Sequence, residues 1–279
     1  FMPVFSGELR KMQASLPEVE SDTVRYQMVL GEKRVDLNDF IGEDLTLNYS
    51  GEIHCVHCDR RTNKSFSQGY CYPCFTSLAQ CDTCIMSPEK CHYDAGTCRE
   101  PSWGESFCLQ DHYVYLANSS GLKVGITRGT QIPTRWIDQG AVQALPIFRV
   151  QQRRYAGLVE VIFKQHMADK TNWRAMLKGN PELLDLSKVV SDILPEVMPE
   201  IEQLQSQYGL QAIQFCDDAK PVAINFPVDE FPLKVTSLNF DKTPTIDGKL
   251  LGIKGQYLIL DTGVLNLRKF GGYHITLSV

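Results

Sequence analysis

No run of about 18 consecutive apolar residues occurs in this 279-residue chain, so no membrane-spanning helix is expected. Phe1 to Leu16 shows no basic stretch followed by an apolar one, so no secretory leader is expected, and the chain reads as cytoplasmic. Internal repeats and low-complexity segments are also missing. Net charge is only −5, so no strong excess of either sign dictates a partner. Against these absences, 43% hydrophobic and 22% charged residues give an ordinary globular balance. At about 150 residues per domain the length suits about two domains. The abundant residue is cysteine, with ten copies.

Nine of the ten cysteines lie between Cys55 and Cys108. A secreted disulfide scaffold would follow a leader and spread its cysteines over a short chain. Here they come as C-x2-C pairs, which present two thiolates from one tight turn. Cys55-x2-Cys58 and Cys71-x2-Cys74 supply four sulfur ligands at zinc-ribbon spacing. A full sulfur shell leaves no open position, so this zinc is structural. His54 and His57 sit beside the first knuckle, but four cysteines already suffice.

A second zinc ion is expected at Cys81-x2-Cys84. Its other half comes from among Cys91, His92, Cys98, Cys108 and His112. Cys108-x3-His112 has the spacing of two ligands one helical turn apart. Cys216, in an apolar patch, reads as a buried small hydrophobe.

Periodicity divides the chain into five segments. Residues 1–50 are an N-terminal β segment, residues 51–112 the zinc-binding module, and residues 113–180 a mixed core. Residues 181–220 are acidic and helical, with Pro195 and Pro199 expected to break or kink the helix. Residues 221–279 return to strand character at Val222–Phe226, Leu233–Leu238, Gln256–Leu260 and Tyr273–Leu277. The two terminal β segments can pair with each other into one small barrel. In the core, Tyr113–Ala117 and Leu122–Thr127 read as a hairpin about Asn118–Gly121. A short helix over Pro133–Gln139, a strand over Leu145–Val150 and a helix over Arg153–Met167 follow. The fold class is therefore α+β. Charge is segregated: residues 111–180 carry ten Lys or Arg against four Asp or Glu, and residues 181–230 carry two against ten.

The stretch from His112 to Arg128 resembles the core of the GIY-YIG nucleases. Tyr113-Val114-Tyr115 stands where that family has Gly-Ile-Tyr, and Lys123-Val124-Gly125 stands where it has Tyr-Ile-Gly. Arg135 follows on the short helix and Glu160 on the next one. The resemblance covers residues 113–178 and implies a three-stranded antiparallel sheet with flanking helices. It implies catalytic roles for Tyr115, Lys123, Arg135 and Glu160, with Mg²⁺ or Mn²⁺ held by Glu160. Arg128 and Asn172 become candidate substrate contacts. Tyr113 departs from the family's first glycine and Lys123 from its second tyrosine. At whole-chain level the sequence is similar to a prokaryotic family of unknown function that joins zinc knuckles to such a core, in runs such as Lys64–Cys71, Gly96–Pro101 and Thr134–Ala141.

The chemistry stands without the family. Phosphodiester hydrolysis needs an activated water, a cation on the scissile phosphate and a metal at the leaving oxygen. Tyr115 and Lys123 on neighbouring strands can share a proton, Arg135 can donate two hydrogen bonds to phosphate, and Glu160 can hold one Mg²⁺. Each residue also has an ordinary use in packing or solvation. Three functions follow: a metal-dependent nuclease acting on DNA or RNA, a non-catalytic nucleic-acid or ribonucleoprotein binding module, and an interaction scaffold that docks through the acidic helices.

Overall fold

The computed structural model describes residues 2–279. Strand β1 (Val4–Ser15) leads into β2 (Arg25–Leu30), β3 (Lys33–Asp36), β4 (Asp44–His54) and the short β5 (Arg61–Thr62). The cysteine-rich stretch carries α1 (Tyr72–Ser77) and α2 (Pro101–Phe107). Next come β6 (His112–Asn118), β7 (Leu122–Arg128), α3 (Thr134–Asp138), β8 (Gln143–Val150), α4 (Arg153–His166) and α5 (Trp173–Met176). The long α6 (Leu186–Tyr208) precedes β9 (Ile213–Phe215), β10 (Val222–Ala223), β11 (Thr245–Lys254), β12 (Tyr257–Leu260), β13 (Gly263–Asn266) and β14 (Tyr273–Ser278).

The two ends of the chain build one antiparallel sheet. Its order is β13-β12-β11-β4-β14-β1-β2-β3, with β5 added beside β4. Val4 faces Ser278 across the β1–β14 ladder, so first and last strands are neighbours. Among the described residues the sheet does not close into a barrel. Its edge at β13 is taken by residues 236–238: the Val264 amide donates to the Thr236 carbonyl, and the Leu238 amide to that of Val264. A closing strand would need those same groups. Leu233–Leu238 is accordingly not a strand beyond the single bridge at Ser237, and Leu233 points to solvent.

The second sheet has the order β10-β8-β6-β7, with β9 also on β8. Central β6 is buried on both faces, which accounts for its unbroken apolar run. Val114 and Leu116 pack with Val159 and Phe163 of α4 and with Val190, Val197 and Ile201 of α6. Tyr115 and Ala117, on the opposite face, join the core of the large sheet with Leu9, Met28 and Ile253. The second sheet is thus a layer between two helices and the large sheet. Alternate burial of Leu45 and Leu47 shows the period of two that makes a strand one-sided.

Helix α6 runs unbroken through Pro195 and Pro199. Each proline removes one N–H bond. Burial of Val190, Val197 and Ile201 holds the helix in place despite that loss. Asp185 caps its start by accepting from the Lys188 amide, 3.1 Å away. Among the described residues no helix is long and apolar enough to cross a membrane.

Candidate functional site

The first cysteine cluster forms where β4 ends and α1 begins. Cys55 follows β4, its amide bonded to the Arg60 carbonyl, and this closes the knuckle that presents Cys58. Cys71 precedes α1 and Cys74 sits inside it. The four sulfurs lie within 4.8 Å of one another. Cys58 and Cys71 are 3.7 Å apart at sulfur. Two ligands of a tetrahedral zinc at about 2.3 Å stand about 3.8 Å apart, whereas a disulfide needs about 2.05 Å. Although burial opposes ionisation of Cys55, the amides of Cys58, Cys71 and His57 stabilise its thiolate and lower its pKa, while burial and the neighbouring sulfurs push the Cys74 thiol up. The donor set therefore fits one structural zinc ion. His54 is turned elsewhere, with Nδ1 3.0 Å from the Asp59 carbonyl.

The remaining cysteines divide in a way that spacing does not show. Cys81 packs against the first cluster, beside Cys55, Cys71 and Cys74. Cys84, Cys91, Cys98 and Cys108 line a separate small cavity. Asp82, Cys84 and His92 also group closely. There His92 Nε2 lies 2.8 Å from Asp82 and His92 Nδ1 2.8 Å from Thr97 Oγ1. His112 is fully buried; Nδ1 lies 2.7 Å from the Gln110 carbonyl, and among the described residues Nε2 has no partner. Burial pushes its pKa down to about 4, so the ring is neutral in the fold. Cys216 is half-buried rather than sealed in a core, because it follows the short edge strand β9.

The residues matched to the nuclease core come from four elements. Tyr115 on β6 is fully buried, and its hydroxyl donates to Gln139 Oε1 at 2.7 Å. Desolvation pushes it up to about 12, with Arg135 and Gln139 acting the other way and Glu160 adding to the rise. Gly125 on β7 makes room for it: a Cβ there would stand 2.6 Å from the Tyr115 hydroxyl oxygen. Lys123, also on β7, is lowered by burial; Arg135 and Lys164 add to that, while Asp169 and Glu160 oppose it. Glu160 on α4 keeps only 14% of its side chain exposed and pairs with Lys164 at 2.6 Å. The carboxylate on a half-apolar helix face thus has a lysine as its partner. Arg135 and Glu160 are thus near enough to influence both Tyr115 and Lys123.

Arg128 and Asn172 each have a partner within the fold. Arg128 stacks over the Phe107 ring, 4.8 Å from its centroid. Asn172 caps α5, its Oδ1 accepting from the amides of Arg174 and Ala175.

A wide concavity gathers residues that the sequence did not group. It has a volume of about 1030 Å³ and opens where the large sheet, the first knuckle and the second sheet meet. Seven cations reach it: Lys11, Arg10, Arg34, Arg128, Arg135, Arg153 and Arg268. Asp82 and Asp138 are its carboxylates. Asp138 is held by Lys11 and by Gln256, and Asp82 by His92 and Arg99. Among the described residues none of the six arginines forms an ion pair with a carboxylate. No residue of α6 lines the cleft, so the acidic helix does not cover the basic surface. Segment-wise charge counting pointed to a basic core; it missed Arg10, Arg34 and Arg268, which the terminal sheet brings from both chain ends.

The cleft depends on a close fit between α4 and the second cysteine loop. Arg153 donates from Nη2 to the Ile85 carbonyl at 2.8 Å, and its amide donates to that of Cys108 at 2.9 Å. Gly157, one turn on, faces the backbone of Pro88 and Glu89, where a Cβ would come within 2.5 Å of the Glu89 nitrogen.

Comparison with the curated proteins and with the solved structures finds no match to the chain. A family model does match, over residues 42–275, and its description is "protein of unknown function (DUF2797)". That span runs from β4 into β14 and includes the first knuckle, the second sheet and α6, so the chain belongs to the DUF2797 family.

Proposed function

We propose that this protein binds nucleic acid in the basic cleft between its two sheets, with zinc holding the knuckle that forms one wall. The observation that carries the reading is the set of six arginines without carboxylate partners, gathered from β1, β3, β7, α3, α4 and the loop before β14. Like charges collected in one concavity repel each other, and a polyanion relieves that repulsion. Arginine is suited to the task, since its planar fork takes two phosphate oxygens and its weak hydration eases burial. Nearby, Trp173 stacks on Tyr257, which lines the cleft, with rings 9° from parallel and Arg174 over Trp173. Aromatic faces beside a basic groove suit unpaired bases.

Hydrolysis is the second reading. The order of β6, β7, α3, β8 and α4, with β6 between its two partners, supports a GIY-YIG-like core. Glu160 would hold Mg²⁺ or Mn²⁺ after releasing Lys164. Binding is placed first because Tyr115 is sealed behind Gln139 and Glu160 is already paired.

Labelled single-stranded DNA, duplex DNA and RNA, titrated with the protein, test both readings. Binding should weaken at least tenfold in Arg34→Glu/Arg135→Glu, two exposed positions. Equal binding by this variant removes the cleft from the account. Cleavage with Mg²⁺ or Mn²⁺ that is lost in Glu160→Ala supports the second reading; binding without cleavage leaves the first.

A further inference from the structure

We propose that Cys84, Cys91, Cys98 and Cys108 hold a second zinc ion, and that Cys81 and His112 take no part in it. The four cysteines line one cavity of about 20 Å³. A space of roughly 10–15 Å³ accommodates a single small occupant, so this one takes one ion and little else. The rest of the wall is mostly apolar, including Ala79, Ile85 and Trp103. The four thiols reach this one cavity from four positions along the chain, set wider apart than the sulfurs of the first cluster, so a shared ion would draw them closer together. Cys84 sits in a short turn, Cys91 ends the next one, Cys98 precedes α2 and Cys108 follows it. All four are unpaired and half-buried. Soft thiolate donors in a closed set of four select zinc and similar ions.

The neighbourhood supplies what surrounds such a site. His92 is locked by Asp82 and Thr97, and Asp82 by the Thr83 amide and Arg99, so this pair orients the loop that carries Cys84. Cys81 lies on the other side, against a first cluster that already has four sulfurs. His112 does not line the cavity. The C-x2-C pair at Cys81 and Cys84 is therefore divided between two neighbourhoods, and the second site uses the wider spacing x6, x6, x9. The site also has a mechanical consequence. It ties Ile85 to Lys90, which packs on α4 and receives the Arg153 hydrogen bond, to α2. This inference does not rest on nucleic-acid binding.

Metal analysis of the purified protein tests it. The wild type should hold two zinc ions per chain. Cys91→Ser/Cys98→Ser should hold one, while Cys81→Ser and His112→Asn should each keep two. The proposal fails if the wild type holds one ion, if the double variant keeps two, or if Cys81→Ser or His112→Asn loses one. Should the double variant not fold, alkylation mapping of the wild type decides the matter. Cys84, Cys91, Cys98 and Cys108 should be protected together and become reactive together when a chelator is added. Cys81 protection that follows the chelator with theirs, or free labelling of any of the four in zinc-loaded protein, overturns the assignment.

Discussion

Gly157→Ala sets two effects of opposite sign against each other. Gly157 lies inside α4, where alanine is favoured over glycine by about 1 kcal/mol in helix propensity. Its face, however, meets the turn at Pro88–Lys90, and an added Cβ would sit 2.5 Å from the Glu89 nitrogen and 2.8 Å from Pro88 Cβ. Ordinary contact needs about an ångström more. The opposing atoms are backbone and a proline ring, so no flexible side-chain end can yield. Overpacking of this kind costs about 1–3 kcal/mol and outweighs the propensity gain over most of that range. At roughly 2–4 °C per kcal/mol, thermal unfolding should shift down by up to about 8 °C. The turn can instead peel away from α4. Amide exchange at Lys90 and Cys91, whose N–H groups bond within the turn, should then rise together with loss of the Arg153 bond to Ile85. Differential scanning calorimetry and hydrogen exchange read the two outcomes. A melting temperature raised by 2–4 °C with unchanged exchange would refute the close packing of cysteine loop and helix.

Lys11 and Asp138 join β1 to α3, with the carboxylate only 4% exposed. Lys11→Met leaves that charge with Gln256 alone and should cost about 3 kcal/mol in urea unfolding, while Lys11→Met/Asp138→Leu should recover most of it. His112 is neutral in the fold with its pKa lowered to about 4, and the unfolded chain takes up a proton below about 6.5. Its contribution is complete above pH 6.5 and is lost as pH falls toward 4. Wild type minus His112→Gln should change by roughly 3 kcal/mol across that window, and a flat difference would contradict the buried neutral ring. Tyr115→Phe removes the bond to Gln139 and should lower stability by about 1 kcal/mol without weakening nucleic-acid binding, as measured by unfolding and titration side by side.

Local patterns were legible where one residue type dominates the physics. Cys55, Cys58, Cys71 and Cys74 were readable because two tight turns and four thiolates admit few other uses. The hairpin of β6 and β7 and the helix α4 showed in their apolar periodicity. Strand β1 was missed because only Leu9 and Met12 are buried in it, so its alternation is masked by polar residues. Strand β11 was missed because Gly248 and Gly252 interrupt it. Leu233–Leu238 looked like a strand by composition, yet Pro232 and the edge position at β13 leave it only a bridge. The cleft was illegible for another reason. Its arginines are separated by up to 258 positions in sequence, from Arg10 to Arg268, and only the pairing of the chain ends brings them together. The second cysteine group was obscured because the nearest C-x2-C pair is not a structural unit.

The salt dependence of nucleic-acid binding tests the cleft most directly. Six arginines that each neutralise one phosphate predict a slope of log K against log salt of about −5 on duplex and about −4 on a single strand. Affinity should then fall about a thousandfold between 50 and 200 mM salt on duplex. Arg34→Gln/Arg135→Gln should make the slope shallower by about 2 units. A wild-type slope near zero, or a slope the two substitutions leave unchanged, would contradict the assignment of this cleft as the nucleic-acid site.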